Sequence, residues 1–461
     1  MLMRLRELRA GLRRWRILRD QLAGFRRHAQ LDRAAFEADR LVRFRRHLEF
    51  AQQHSPYYRE VLAAHGVDVA TATPADVPVL TKQVLRERFD DIVTDRRITA
   101  AGILEFLEQS SDPRDLFLGE YRVLHTSGTS GQRVYLAFSE RDWVRAMAQF
   151  LRPEFRPPPG RWLRPYRIAY YGSTRGHYGG ISMATPFGGS GLRHVVDMRA
   201  FEIDAPLSET LPELDRFQPD FLIGFVSALK SLADAQLAGR LAIAPRAVHG
   251  GGEAMTAADA AVLRPAFGGD IRNNYGCNEH LMMGLSTPDG SRIVVYDDDL
   301  ILEIADDHVL VTNLYNETLP LFRHRIDDFV RRAPADDPRF PYLALEGIVG
   351  RAEMTLMLRN DDGVVEALLP YSFIGLYVPD VVGFQARIDA DAAFTLRVRV
   401  DPAVGADRQA AALAAIGGKV RNLLDGKRMR GVALAVEEVD ALVPDARTGK
   451  FKVIVDARAA H

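Results

Sequence analysis

"VLHTSGTSGQRVYLAF", Val123 to Phe138, is the stretch on which the reading of this chain turns. Two apolar runs, each long enough for a strand, flank eight residues, Thr126 to Arg133. Those eight hold two threonines, two serines and two glycines. Gly, Ser and Thr are ordinary turn residues, so one reading is a hairpin connection. The other is an anion cradle, in which glycines let backbone N–H groups converge on an oxyanion and hydroxyls add donors. Both readings fit the segment, and the rest of the chain has to separate them.

Composition narrows the field. At 461 residues the chain has room for two or three domains and a large core. Its 47% hydrophobic and 26% charged residues are those of an ordinary soluble globular protein. Sixty basic residues against sixty-one acidic ones give a formal charge of −1, so no global electrostatic case for nucleic acid exists. A single cysteine, Cys277, excludes an intramolecular disulfide and any multi-cysteine metal site. A reducing cytoplasm is the expected compartment.

The amino-terminal stretch "MLMRLRELRAGLRRWRILRDQLAGFRRH" is basic and periodic. Arginine interrupts every apolar run, so it does not read as a signal peptide. No run of about 18 apolar residues suggests a membrane span. Leu5, Leu8, Leu12, Trp15, Leu18 and Leu22 fall at helical spacing, and residues 1–50 carry fourteen arginines against six acids. Such a helix could lie on an anionic membrane surface, but an apolar stripe on a charged helix is more often docked on the protein body, which is the expectation here.

Residues 34–65 read as helical. Thr81 is a plausible N-cap for "LTKQVLRERFDDI", and Ser139 with Asp142 loosely resembles a capping box. From about 165 to 275, strand patterns ("RIAYYG", "DFLIGF", "RAVHGG", "DIRNNYG") alternate with helical ones ("APLSETLPELDRF", "SALKSLADAQLAG", "TAADAAVLRPAF"). That alternation indicates an α/β fold with a mostly parallel sheet covered by helices. Beyond 280 the texture turns β-rich. After "GIVGRAEMTLML" come a hairpin pair, a helix near 407–424 and a strand "GVALAVEEV". The expected division is a large domain, 1–349, with the basic helical extension at 1–50, and a small mobile α+β domain, 350–461.

Four further stretches join the first: "HGGGEAMT" (249–256), "NNYGCNEH" (273–280), "LFRHRIDDFV" (321–330) and "RTGKFKVIV" (447–455). Singly, each has an ordinary structural reading. As an ordered set they resemble the adenylate-forming superfamily, and within it the phenylacetate–coenzyme A ligase family. "TSGTSGQR" is similar to that superfamily's phosphate loop, "GGE" to its adenine segment, "YGCNE" to Tyr-Gly-x-x-Glu and "FRHRIDD" to Tyr-Arg-Thr-Gly-Asp. "GR" at 350–351 resembles the start of the hinge, "TGKF" the catalytic-lysine motif, and "SPYYREVLAAHG" the ligase family specifically. The likeness runs from about residue 40 to 455. Departures are Gln132-Arg133 for Lys-Pro, Asp327 for a glycine, Glu353 for the hinge aspartate, and no Arg-Gly stretch after it.

The resemblance implies ATP-dependent activation of a carboxylic acid as an acyl-adenylate, with AMP and pyrophosphate formed. Thr126, Ser127, Gly128, Thr129, Ser130 and Gly131 would hold phosphates. Gly251, Gly252, Glu253, Asn274, Tyr275 and Gly276 would flank the nucleotide, and Asp328 with Arg351 the ribose. Glu279 would carry Mg2+, Lys450 would bridge carboxylate and α-phosphate, and Gly350 to Glu353 would hinge. Tyr170, Tyr171, His177, Phe225 and Asn273 are candidates for the acyl pocket. Cys277 has no base partner in sequence and reads as a small packed residue; His125, His249 and His280 read as structural. The acceptor is expected to be coenzyme A, with an amine or other nitrogen nucleophile as the alternative. A catalytically silent nucleotide-binding scaffold is the third reading; Glu279, Asp328, Arg351 and Lys450 together speak against it.

Overall fold

The computed structural model describes residues 2–126, 134–152, 164–185, 196–305, 308–328, 330–334, 341–348, 356–363, 365–368, 376, 378–390, 392–442 and 453–457. Three helices open the chain: α1 (Leu2–His28), α2 (Arg33–His54) and α3 (Pro56–Ala64). Asp32 caps α2 by accepting from Ala35 N, and Ser55 caps α3 by accepting from Tyr58 N, with Pro56 at its first position. The cap read at Thr81 is present, and so is the reciprocal box between Ser139 and Asp142.

Strands β1 (Arg122–His125) and β2 (Tyr135–Phe138) pair antiparallel. Next come β3 (Tyr166–Gly172), β4 (Val196–Glu202), β5 (Phe221–Phe225), β6 (Ala247–Gly251) and β7 (Asp270–Cys277). They are followed by β8 (Leu281–Ser286), β9 (Ile293–Val295), β10 (Leu300–Ile304), β11 (Val309–Asn313), β12 (His324–Ile326), β13 (Val330–Arg332) and β14 (Ala344–Ile348). Among the described residues nine strands form one sheet in the order β13-β14-β9-β8-β7-β6-β5-β3-β4. From β4 across to β7 the neighbours run parallel, and from β7 across to β13 they run antiparallel. β7 is therefore the strand at which the sheet changes character. The parallel half is the one the helix–strand alternation predicts, with a 21-residue apolar core spanning Ala169 to Ile271 beneath its helices. Edge strand β4 is not among the strand patterns read from sequence, although Val196, Met198 and Ala200 alternate with Asp197 and Arg199.

The larger core joins α2, α3, β1 and β2 to the three-stranded sheet β10-β11-β12, from Phe44 to Leu345. A separate core, Leu358 to Ile454, lies among β15 (Leu356–Arg359), β16 (Val365–Leu368), β17 (Val381–Ala390), β18 (Ala393–Val400), a helix at Ala406–Gly426, β19 (Ala433–Glu438) and β20 (Ile454–Asp456). The expected hairpin, helix and strand of this carboxy-terminal part are all present, and β20 adds a strand parallel to β17.

The "YDDDL" stretch, Tyr296 to Leu300, lies in the β-rich part of the chain and forms a buried hub. Asp297 and Asp298 are fully buried and Asp299 nearly so. Arg33 and Arg40 reach Asp297 Oδ2 at 3.0 and 3.1 Å, Arg152 pairs with Asp298, and His28 Nδ1 lies 2.8 Å from Asp298 Oδ1. Burial pushes the Asp297 carboxyl up against the pull of Arg40 and Arg33. Asp298 is desolvated too, but His28 and Arg152 outweigh burial and hold it below the usual carboxylate range. His28 at the end of α1 and Arg33 and Arg40 on α2 thereby dock the opening helices on the buried aspartates.

Candidate active site

The strand pair β1–β2 is the root of the hydroxyl-rich segment. Thr126 continues the ladder, its N–H donating to Val134 O at 2.9 Å and its Oγ1 accepting from Val134 N at 3.1 Å. That hydroxyl oxygen serves the hairpin, and the proton it carries remains the one donor it can offer a ligand. Hairpin and cradle are thus compatible readings of one segment. Ser127, Gly128, Thr129, Ser130 and Gly131 lie outside the described residues, as do Gln132 and Arg133.

The root is fastened to the end of β7. Asn278 Nδ2 donates to His125 O at 3.4 Å, and Asn278 Oδ1 accepts from Gly179 N at 3.2 Å. One carboxamide therefore joins β1, the helix Gly179–Ala184 and the 278–280 turn. A side chain at Gly179 would put its Cβ 2.6 Å from Asn278 Oδ1, so the contact needs glycine. Asn278 is absent from the site expected from sequence, where it occupies a variable position of "YGCNE"; a carboxamide there, able to donate and accept at once, was the available signal.

Glu279 stands half-buried on this same turn. Beside it His280 is fully buried, its Nε2 3.3 Å from Nδ1 of buried His324 on β12. Burial lowers the pKa of both imidazoles; the neighbouring His324 adds to the effect on His280, while Glu279 opposes it on His324. The turn is consequently packed on a neutral histidine pair. Tyr315 Oη holds it from below by donating to His280 O at 2.9 Å.

Tyr275, buried on β7, donates from its phenol to Asp328 Oδ2 at 3.2 Å. Gly276 beside it is required sterically, since a Cβ would fall 2.2 Å from Leu281 O. Gly251, at the end of neighbouring β6, packs on the Cβ of Asn274, where a Cβ of its own would sit at 3.6 Å. Gly252 has φ +73, and an added Cβ would lie 2.6 Å from the Phe225 ring. Glu253 accepts from Ser227 N and Ser227 Oγ, both at 2.7 Å, at the amino end of the helix Val226–Leu237. A carboxylate is favoured there by the helix dipole, so Glu253 has a structural duty of its own. His249 lies inside the sheet, its pKa lowered to about 3 by burial and then by Arg272.

The acyl-pocket candidates separate. Successive residues of a strand face opposite ways. Tyr171 enters the core beneath the parallel strands, whereas Tyr170 packs with Ile181 and Ala184. Ile181 and Ala184 also line a cavity of about 460 Å3, with Met198, Thr174 and Arg175. His177 is buried, its Nε2 3.3 Å from Ser110 Oγ, and its carbonyl accepts from His125 N at 3.2 Å. Asn273 N donates to Ser286 Oγ at 2.9 Å, while its buried Oδ1 has no hydrogen bond among the described residues. Cys277 is half-buried, its thiol donating to the Met283 sulfur at 3.8 Å. Gly350, Arg351, Glu353 and Lys450 lie outside the described residues. Among the described residues no group of three or more His, Cys, Asp or Glu is placed to hold a metal.

Four of the five motif stretches thus meet at the carboxyl ends of β5, β6 and β7, where open α/β sheets bind ligands. The fold is similar to that of 2-hydroxyisobutyryl-CoA ligase in its solved structures. In complex with 2-HIB-AMP and CoA in the thioesterification state, that enzyme matches with a TM-score of 0.60 at 18% identity, over 93% of this chain and 91% of its own. Its open conformation matches with a TM-score of 0.56 over 93% of both chains. The chain has the fold of an adenylate-forming ligase. An amide bond synthetase from Marinactinospora thermotolerans, at TM-score 0.40 and 18% identity over 72% of this chain and 67% of its own, is too loose a match to carry an argument. No family model matches the sequence, and no curated protein matches it significantly.

Proposed function

We propose that the protein activates a carboxylic acid with ATP, releasing pyrophosphate, and then transfers the acyl group to coenzyme A. The observation that carries this reading is the hydrogen bond from Tyr275 to Asp328, which draws "YGCNE" and "RIDD" together at the end of the sheet's central strand. A carboxylate oriented by a phenol suits a vicinal ribose diol, because it offers two acceptors in one plane.

A carboxylate is a poor electrophile, since its charge repels nucleophiles and oxide is a hopeless leaving group. Exchanging oxide for AMP removes both obstacles, provided the repulsion between carboxylate and α-phosphate is suppressed. The oxygen donors present fit ATP and magnesium: Mg2+ binds through one or two carboxylates plus substrate phosphates, and Glu279 is such a carboxylate. Magnesium there would neutralise phosphate charge. Asn278 orients the turn bearing Glu279 against the root of the phosphate segment, and the segment's N–H groups and hydroxyls would receive the outer phosphates. Lys450 supplies a mobile positive charge at the reacting oxygens, and residues 350–461 move as a small domain about Gly350 to Glu353 to withdraw it.

ATP–pyrophosphate exchange over a panel of carboxylic acids tests the first step, and mass spectrometry of products with coenzyme A or an amine tests the second. ADP with an acyl phosphate would exclude adenylation; an amide in place of a thioester would change the acceptor alone.

A further inference from the structure

The exposed apolar residues in the amino-terminal half of α1 point to a surface role that no step of the reaction uses. The helix is 27 residues long, about 40 Å at 1.5 Å per residue. Its second half is docked. Phe25 is buried under the Arg152 guanidinium, 4.0 Å from the ring centroid, and Gln21 and His28 bond to Asp299 and Asp298. Leu18 and Leu22, on the same stripe, are half-buried. Toward the amino end the stripe emerges from the body: every residue from Gly11 to Arg16 is exposed, and Leu12 and Trp15 are each 57% exposed. Arg14 bonds sideways to Glu140 at 2.5 Å, which holds this part of the helix against the body without covering its apolar face.

We propose that this end of α1 lies on an anionic lipid surface. In sequence the helical spacing of apolar residues extends to Leu5 and Leu8, and residues 1–16 contain six arginines and one acid, Glu7. An apolar stripe flanked by arginines and bearing a tryptophan is the chemistry of an interfacial helix: Leu and Trp enter the headgroup boundary and arginines meet lipid phosphates. Charge argues against a second copy of the same helix, which would bring like charges together. Exposed Leu12 and Trp15 argue against nucleic acid, whose backbone requires the arginines alone. Among the described residues no helix is long and apolar enough to cross a membrane, so the contact is peripheral.

The test is co-sedimentation of the full chain with vesicles of phosphatidylcholine alone or mixed with phosphatidylglycerol. The mixed vesicles should bind roughly tenfold more protein at low salt, and binding should fall as salt rises. The double variant Leu12→Ser/Trp15→Ser should lose that binding while its helical signal and melting temperature stay unchanged; Arg13→Gln/Arg16→Gln should weaken it. Equal sedimentation with both vesicle types, or undiminished binding by the Leu12/Trp15 variant, overturns the proposal. So does self-association or RNA binding that the same variants abolish when no vesicle binding is seen.

Discussion

The phenol of Tyr275 donates to Asp328 Oδ2 at 3.2 Å, joining two motifs that are 53 positions apart in sequence. A carboxylate held by a buried phenol is positioned before any ligand arrives. Asp328→Ala should weaken ATP binding by about 1.5–3 kcal/mol, the range for hydrogen bonds to a charged group, and Tyr275→Phe by about 1 kcal/mol or less. Titration calorimetry of both variants and the double variant measures the coupling. Unchanged affinity in a folded Asp328→Ala protein would remove Asp328 from the nucleotide site.

Gly276 and Gly418 should respond to alanine in opposite directions. At Gly276 the new Cβ meets Leu281 O at 2.2 Å, so the β7–β8 pairing has to shift, at about 1–3 kcal/mol. That shift also moves the turn bearing Asn278 and Glu279, and adenylation should slow. Gly418, inside the helix Ala406–Gly426, has nothing within 4 Å, and Gly418→Ala should stabilise by about 0.5–1 kcal/mol. Urea unfolding reports both signs.

Acid should destabilise the protein well above the carboxylate range. Burial, reinforced by Arg145 and Arg141, lowers the His47 pKa to about 3, and His249 is likewise lowered to about 3. Their folded values lie below the unfolded value near 6.5, so the unfolded chain binds protons that the folded one refuses. Stability from these groups is complete above about pH 6.5 and declines as pH falls toward the folded values, by about 1.4 kcal/mol per pH unit for each histidine. Urea midpoints measured between about pH 7 and pH 5 should fall steadily. His47→Gln should flatten the slope; an unchanged slope would assign it to other groups.

Lys450→Ala separates the two half-reactions. Adenylation should lose about 2.7–4 kcal/mol of transition-state stabilisation, comparable with removing one preorganised donor. Transfer from chemically made acyl-adenylate to the acceptor should continue at a substantial rate. Equal loss in both steps would contradict a charge that is withdrawn by domain rotation.

Much of the fold is legible because local chemistry fixes local structure. Thr81, Ser139 and Asp142 make the caps their side-chain oxygens predict, and the helix–strand alternation from 165 to 275 becomes the parallel half of the sheet. The Tyr170–Tyr171 pair was also decidable from strand periodicity, which forbids neighbours from lining one pocket. The partners of Asn278 and of His280 were not decidable, because they lie between 44 and 153 positions away.

Sequence by itself determined the α/β pattern, the caps and the order of the motifs, since these depend on backbone periodicity and on contacts within a few residues. Only the tertiary structure decided that β7 is where parallel pairing gives way to antiparallel, and that its end receives Asp328, His324 and the root of the phosphate segment. It also decided that three consecutive aspartates lie inside, paired with arginines and a histidine of the opening helices. The physical reason is the same in each case. A charge or hydrogen-bonding group tolerates burial only opposite a partner, and strand order and helix docking determine which distant residue that partner is.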